Sequence, residues 1–252
     1  MADTPLFEYL LRLGDDRLVL GHRLSEWCGH GPILEEDIAL ANISLDFIGQ
    51  ANLLLGLAGT LEAKGRDADA LAYLRDALDF RNLPLVEQPN GDYAMTMVRS
   101  FLFDSYDYLL TRALQDSRHR ELAGIAAKAH KEAAYHLRHS SEWLVRFGDG
   151  TEESHRRAQD ALDELWRWTG GMFLADAVDH ALHAQAVVPD LAGLEPQWKG
   201  MVDEVIGRAT LTRPPVQPIT SRGFRRGDHT EHLGHMLAEM QILPRTHPGA
   251  EW

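Results

Sequence analysis

The amino-acid sequence predicts an all-α protein whose core is a four-helix bundle. Apolar residues recur at three- and four-residue steps through most of the 252 residues, which is the period of an amphipathic helix. No alternating pattern typical of a strand competes with this period. Glycine and proline clusters divide the pattern into segments. The first four long segments form two helical hairpins of similar design, so the bundle is the expected core.

The first hairpin is predicted from two long apolar stripes. A helix over about 5–28 carries leucines at helical spacing, and His30, Gly31 and Pro32 then break the chain. A second helix begins at Leu34 and is closed by Gly65. A short helix about 71–78 follows. The segment 81–91, with two prolines and an Asn-Gly pair, is predicted to be a loop.

The second hairpin and the remaining helices are predicted in the same way. The expected elements are helices at about 92–116, 119–147, 151–186 (interrupted at Gly170-Gly171) and 194–209, an extended loop at 210–228, and a last helix. This last helix is expected to open on a capping box of Asp228 and Glu231 and to end by Leu243, before Pro244. We expect a single domain over residues 1–252, with the core bundle at about 5–147 and accessory helices and an Arg/Pro-rich loop at about 151–252.

Composition and charge narrow the possible partners and compartments. The net charge of −13 argues against nucleic acid as a partner, because neutralising phosphates needs a basic face. The single cysteine, Cys28, excludes an internal disulfide and fits a reducing compartment. No signal peptide is visible, and the most apolar stretch, 47–61, is too short to span a bilayer. We therefore expect a cytoplasmic protein that does not enter a membrane.

Each hairpin carries two acids where a di-iron carboxylate bundle would bind metal. Such bundles use a Glu on two helices and a Glu-x-x-His on the other two. The acids are 30 residues apart in the first hairpin and 28 in the second. Where histidines would be expected, the chain has a glycine and a tyrosine. The positions in question, predicted to be vestigial di-iron positions, are Asp16, Asp46, Gly49, Asp104, Glu132 and Tyr135.

Two interpretations of these acids are open. A buried carboxylate needs a cation, hydrogen-bond donors or a shifted pKa. A polar core network would pair the acids with neighbouring cations, for which the candidates are Arg17, Arg23, Lys128, His136 and Arg138. The alternative is a metal-binding oxygenase in its own right, which would use Asp16, Asp46, Asp104, Glu132 and His136. The missing histidines favour the network and predict no metal and no catalytic residue in this chain.

Basic and histidine residues near the C-terminus form a further candidate site. The arginines could meet a phosphate, such as that of coenzyme A, or an acidic patch on a partner protein. Histidines at three-residue steps could converge loosely on zinc, although helical rotation spreads the outer two apart. The candidate partner or coenzyme A contacts are Arg213, Arg222, Arg225, Arg226, His229 and His232, with His235 as the third histidine.

Several long stretches resemble one known family. They are LRLGDDRLVLGHRLSEWCGHGPILEEDIALANISLDFIGQA, LPLVEQPNGDYA, KEAAYHLRHSSEWL and GDHTEHLGHMLAEMQILPRTHPGAEW. Together they resemble the C subunits of the multicomponent ring-1,2-phenylacetyl-CoA epoxidase. The resemblance runs from about residue 6 to the C-terminus.

The resemblance implies a ferritin-like fold and a structural or regulatory role in aerobic phenylacetate breakdown. In that family the di-iron centre lies in a catalytic A subunit, and a reductase with FAD and an iron–sulfur cluster brings the electrons. The C subunit pairs with the A subunit and supports it, so the A subunit and the other epoxidase subunits are the expected partners. A homodimer of the isolated chain stays open. This sequence departs from the catalytic pattern at Gly49 and Tyr135, so no catalytic role is carried over.

Overall fold

The computed structural model describes residues 4–221 and 223–250, and within these residues it contains helices and no strand. The chain forms two compact units. The first consists of Met1–Pro89 together with Ser221–Trp252, and the second of Asn90–Thr220. The last segment of the chain therefore belongs with the first hairpin, although the sequence grouped it with the accessory helices. The single domain stays a prediction.

The long helices follow the predicted order. The segment 81–91, predicted to be a loop, contains a short helix at Pro84–Glu87, and the short helix predicted at about 71–78 lies at Ala68–Tyr73. The helices are α1 (Thr4–Ser25), α2 (Leu34–Glu62), α3 (Ala68–Tyr73), α4 (Pro84–Glu87), α5 (Tyr93–Leu114), α6 (Arg120–Gly148), α7 (Glu152–Leu165), α8 (Ala177–Ala184), α9 (Leu191–Arg208) and α10 (Glu231–Thr246). Two short 3-10 helices lie at Ala77–Asp79 and Trp166–Gly171. The single helix predicted over 151–186 is thus three elements. The chain leaves α-helical geometry before the Gly170-Gly171 pair, and the next α-helix begins at Ala177.

In the first unit, α1 and α2 pack closely as an antiparallel hairpin. Gly21 makes the close approach possible, because a Cβ atom there would lie 3.2 Å from the carbonyl oxygen of Ser44. The Ser44 hydroxyl donates to the carbonyl oxygen of Gly21 at 2.7 Å and ties the two helices together. Nearly every residue of α1 from Tyr9 to Gly21 is buried, whichever way it faces. This helix is the centre of the first unit.

In the second unit, α5 and α6 form the other hairpin. The buried residues of α6 recur at three- and four-residue steps and define one face: Leu122, Ala126, Ala129, Ala133, His136, Ser140 and Leu144. Helix α9 packs on α5, where the indole N–H of Trp198 donates to the carbonyl oxygen of Leu102 at 3.2 Å. The small residues of the α6 face let the neighbouring helix come close.

The start and the end of α10 differ from the predicted ones. Its N-cap is Thr230, whose side chain makes no capping hydrogen bond to the first turn of the helix. The predicted capping box of Asp228 and Glu231 is wrong, because the Asp228 carboxylate instead accepts from the Ser221 hydroxyl at 3.3 Å. The helix also continues past Pro244 to Thr246.

Helix α2 is the most apolar of the described helices. By length and composition alone it could cross a membrane, but 44% of its most apolar window is buried within the protein. A core helix of a soluble protein passes the same test, so this helix is weak evidence for a membrane span. Apolar residues that remain exposed on α2 need a separate explanation.

Candidate functional site: two buried polar clusters

The first cluster surrounds Asp16 on α1. Its side chain is buried, accepts from the backbone N–H of Leu83 at 2.7 Å and lies 2.9 Å from the Arg225 guanidinium. Complete burial raises the pKa of Asp16, while Arg225, the Leu83 N–H and Arg17 act to lower it. This carboxylate therefore holds together two segments that are far apart in sequence, at positions 83 and 225.

The neighbouring acid, Asp15, is engaged just as fully. Both of its oxygens meet the guanidinium of Arg75, and one also accepts from the backbone N–H of Arg81 at 2.8 Å. A forked guanidinium–carboxylate contact is among the strongest polar contacts in proteins. Adjacent residues on a helix point about 100° apart, so burial of both acids requires α1 to be covered on several sides.

Glu87, at the end of α4, organises the start of α10. One carboxylate oxygen accepts from the backbone N–H of Thr230 at 2.5 Å, and the other contacts Asn82 Nδ2 at 2.9 Å and His229 Nδ1 at 3.0 Å. The His229 Nε2 lies 3.1 Å from the carbonyl oxygen of Phe80, which can only accept. The carboxylate thus caps α10 from a distant part of the chain.

The inner face of the first hairpin carries an amide and an arginine. Arg17 donates from Nε to Gln50 Oε1 at 2.8 Å and from Nη1 to the carbonyl oxygen of Leu13 at 3.0 Å. Gln50 and Phe47, three residues apart on α2, are both buried. Arg23 also belongs to the network, because its guanidinium donates to the backbone carbonyl of Glu87.

The second cluster lies between α5 and α6. Asp104 is buried, and its Oδ2 accepts from the Ser140 hydroxyl at 2.8 Å. Burial raises the pKa of Asp104 to about 7, with His136 opposing the rise and Asp107 adding to it. The site thus holds a carboxyl group whose charge depends on pH near neutrality.

The structure separates the six predicted vestigial positions into two classes. Asp16 lies between Leu13 and Leu20 on the apolar stripe of its helix, and Asp104 lies likewise after Phe101, so the spacing predicts their burial; both are buried. The other four are not buried: Asp46 and Gly49 are partly exposed, the Glu132 side chain is 22% exposed, and Tyr135 is 44% exposed. Lys128 is 63% exposed and lies 3.9 Å from Glu132, so it belongs to a surface pair and not to a buried network.

Beside each predicted pair, a pair at the same spacing but one residue later is buried. On α2 this is Phe47 and Gln50, next to Asp46 and Gly49, and on α6 it is Ala133 and His136, next to Glu132 and Tyr135. Within the described residues, no group of three or more His, Cys, Asp or Glu side chains is arranged to hold a metal ion. Phenylalanine and alanine donate nothing to a metal, so these pairs do not fit a di-iron centre, which needs Glu-x-x-His on two helices. The assignment of vestigial positions stays a prediction.

The C-terminal arginines and histidines are drawn into separate contacts. Arg225 pairs with Asp16, and His229 with Glu87. His232 contributes its backbone carbonyl, which accepts from Arg23 at 3.2 Å. In the second unit Arg213 pairs with Asp203 at 3.1 Å and lies over the Trp166 ring.

Arg213 belongs to the second unit, and the described members of this set in the first unit make contacts of their own. The backbone N–H of Arg226 donates to the carbonyl oxygen of Gly223, and Arg222 lies outside the described residues. The partner or coenzyme A role of these residues stays a prediction.

Three residues that organise the clusters were missed in the sequence. Asp15 lies beside the apolar stripe that contains Asp16, so helical spacing gives no sign of its burial. Glu87 lies in a segment that the prolines marked as loop, where nothing indicates burial. Ser140 was detectable, because it lies four residues after His136 and continues the stripe of α6.

Taken together, the two helical hairpins, each with a buried aspartate, define an all-α protein of the carboxylate-bundle class. A model of the family described as phenylacetic acid catabolic protein matches residues 1–252. The C subunit of 1,2-phenylacetyl-CoA epoxidase from Escherichia coli (strain K12) is 49% identical to this chain over 249 residues, covering 99% of this chain and 100% of that protein.

The chain therefore belongs to the phenylacetic acid catabolic protein family. The resemblance found in the sequence is confirmed, and so is the ferritin-like all-α class. The place in phenylacetate catabolism is confirmed as well.

Proposed function

We propose that this chain is a structural or regulatory subunit of a phenylacetyl-CoA epoxidase, that it has no catalytic centre of its own, and that it pairs with the catalytic A subunit in the cytoplasm. The observation that carries the proposal is that the buried pairs, Phe47 with Gln50 and Ala133 with His136, lack the carboxylates that would bind a metal. A guanidinium, Arg17, bonds Gln50 on the inner face of the first hairpin. The family membership and the 49% identity to the C subunit of an epoxidase support the same conclusion.

The resemblance to the epoxidase C subunits implies the division of labour. Oxygen activation and the di-iron centre would belong to the catalytic subunit, and FAD and iron–sulfur electron transfer to the reductase. This chain supplies a rigid helical surface. A subunit that binds only the folded form of its partner stabilises that partner by mass action.

The test is co-expression with the catalytic subunit, followed by gel filtration and metal analysis. We expect one complex, and in the isolated chain far less than the roughly two irons of a di-iron carboxylate bundle. Two separately eluting proteins would refute the pairing. About two irons per isolated chain, lost in Glu132→Ala, would instead favour a metal-binding oxygenase. Glu121→Ala, on the same helix near its start, is the matched control for that variant.

A further inference from the structure

The outward face of α2 carries large apolar side chains although it is exposed. Leu34 is 71% exposed, Ile38 52% and Leu45 66%, and Leu53 lies beside them at 40%. The buried side of α2 already packs into its own unit, so these side chains add nothing to that core. A cluster of exposed large apolar side chains on a folded protein marks an interaction surface.

The pattern of this face is that of a helix-packing seam. Its residues follow steps of four and three, which is the spacing by which two helices pack side by side: Ile38, Asn42, Leu45, Gly49, Asn52 and Gly56. The seam thus combines two large apolar residues, two amides and two glycines. An asparagine within such a seam fixes the register of the two helices, because its amide needs a hydrogen-bonding partner on the facing helix. From Ile38 to Gly56 the seam runs about 27 Å, at a rise of about 1.5 Å per residue.

The glycine positions leave open space. A Cβ atom at Gly49 or Gly56 would meet no atom within 4 Å in the described chain. Gly49 lies at the edge of a groove of about 400 Å³ that is lined by α2 and also by Leu18 and Tyr73. The groove can receive a large apolar side chain from outside, while the glycine permits close approach of a second helix.

The charge of α2 indicates which kind of partner surface would be electrostatically complementary to it. Its 29 residues contain five acids and no lysine, arginine or histidine. Of the acids, Glu35 is exposed and Asp46 partly exposed beside the seam. A seam whose only charged neighbours on its own helix are carboxylates complements a helix whose apolar ridge is bordered by lysine or arginine.

We infer that the face of α2 from Ile38 to Gly56 is the docking surface for a helix of the catalytic subunit, with an apolar ridge flanked by basic residues. The inference rests on the proposed function and adds to it the surface and the partner chemistry. Gly49, predicted from the sequence to be an emptied ligand position, serves on this surface as the point of closest approach.

Two substitutions test the surface without disturbing the fold. Gly49→Leu places a side chain where the free chain has open space, and leucine favours a helix more than glycine does. Leu45→Glu replaces an exposed leucine with another good helix former. Gly200→Leu is the matched control, because Gly200 is also open and lies on α9 near Gln197, Asp203 and Glu204.

The measurement is the dissociation constant of each variant for the co-expressed catalytic subunit, together with the melting temperature of each free chain. We expect Gly49→Leu and Leu45→Glu to weaken binding by about tenfold or more, with the melting temperature unchanged or raised and the control unaffected. Added salt should weaken the wild-type complex.

The outcomes separate the two proposals. If the wild-type chain forms no complex, the proposed function fails. If it does and both variants bind as tightly as wild type, the docking surface is wrong while the proposed function stands. Loss of self-association alone, or of binding to anionic phospholipid vesicles alone, would also overturn the inference, since the occupant would then be a second copy or a membrane.

Discussion

Replacing Glu87 by glutamine should destabilise the first unit well beyond what a change of one atom suggests. The Glu87 carboxylate accepts from two donors on different oxygens, the Thr230 N–H and Asn82 Nδ2, and also contacts His229 Nδ1 at 3.0 Å. An amide keeps one acceptor oxygen and presents an NH₂ group in place of the other. At least one buried donor then loses its acceptor, at about 1–3 kcal/mol, and the remaining bonds lose their charge-assisted character, at about 1 kcal/mol.

The expected loss for Glu87→Gln is therefore about 2–4 kcal/mol of unfolding free energy, which corresponds to a melting temperature lower by about 6–12 °C. Calorimetry measures the melting temperature. Amide hydrogen exchange should show faster exchange in α10 and unchanged exchange in α6.

The matched control is Glu153→Gln. Glu153 is exposed and pairs with Arg156 and Arg157, and its substitution should leave both measurements unchanged. If a Glu87→Gln variant melts within about 2 °C of wild type and its α10 amides exchange as slowly as in wild type, Glu87 does not stabilise the N-terminus of α10.

Two further predictions concern the buried side chains of Asp104 and Arg75, and a third concerns the close packing of backbone against Gly59. Because burial raises the pKa of Asp104 from 3.8 to about 7, its folded form holds a proton that the unfolded form releases. Wild-type stability should therefore fall between about pH 4 and pH 7 relative to Asp104→Asn, and denaturant titrations with parallel curves for the two proteins would contradict this. Arg75→Leu leaves Asp15 buried without its guanidinium and should cost about 3–5 kcal/mol by denaturant unfolding, whereas a loss below about 1 kcal/mol would mean that the pair is dispensable. Gly59→Ala should lower the melting temperature, because its Cβ would lie 2.1 Å from a backbone oxygen, while Gly56→Ala, in open space on the same helix, should raise it; equal shifts would contradict this packing.

The sequence predicts most of the helices because apolar periodicity reports burial directly. It predicts the order of the long helices, the breaks after α1 and α6 and the burial of Asp16 and Asp104, each of which lies within an apolar stripe, but it misses the short helix α4. It fails at the start of α10, because the cap comes from Glu87, more than 140 residues away. A contact of that range leaves no trace in local spacing, whereas a capping box is a local pattern that Asp228 happened to match.

On α2, the displacement of the buried pair by one residue has a physical origin in the composition of the helix. The position of a helix face is usually read from the contrast between its apolar and polar sides, and α2 has little contrast because its exposed face also carries leucine and isoleucine. With Leu45 exposed and Phe47 buried, spacing alone cannot tell which stripe points inward. Asp46 and Gly49 match the expected ligand spacing, and both are partly exposed in the structure. The feature that makes the inward stripe of α2 ambiguous, a second set of large apolar residues, is therefore the feature from which we infer docking. A helix that had only to support its own hairpin would gain solubility from a fully polar outer face, and α2 keeps leucine and isoleucine there.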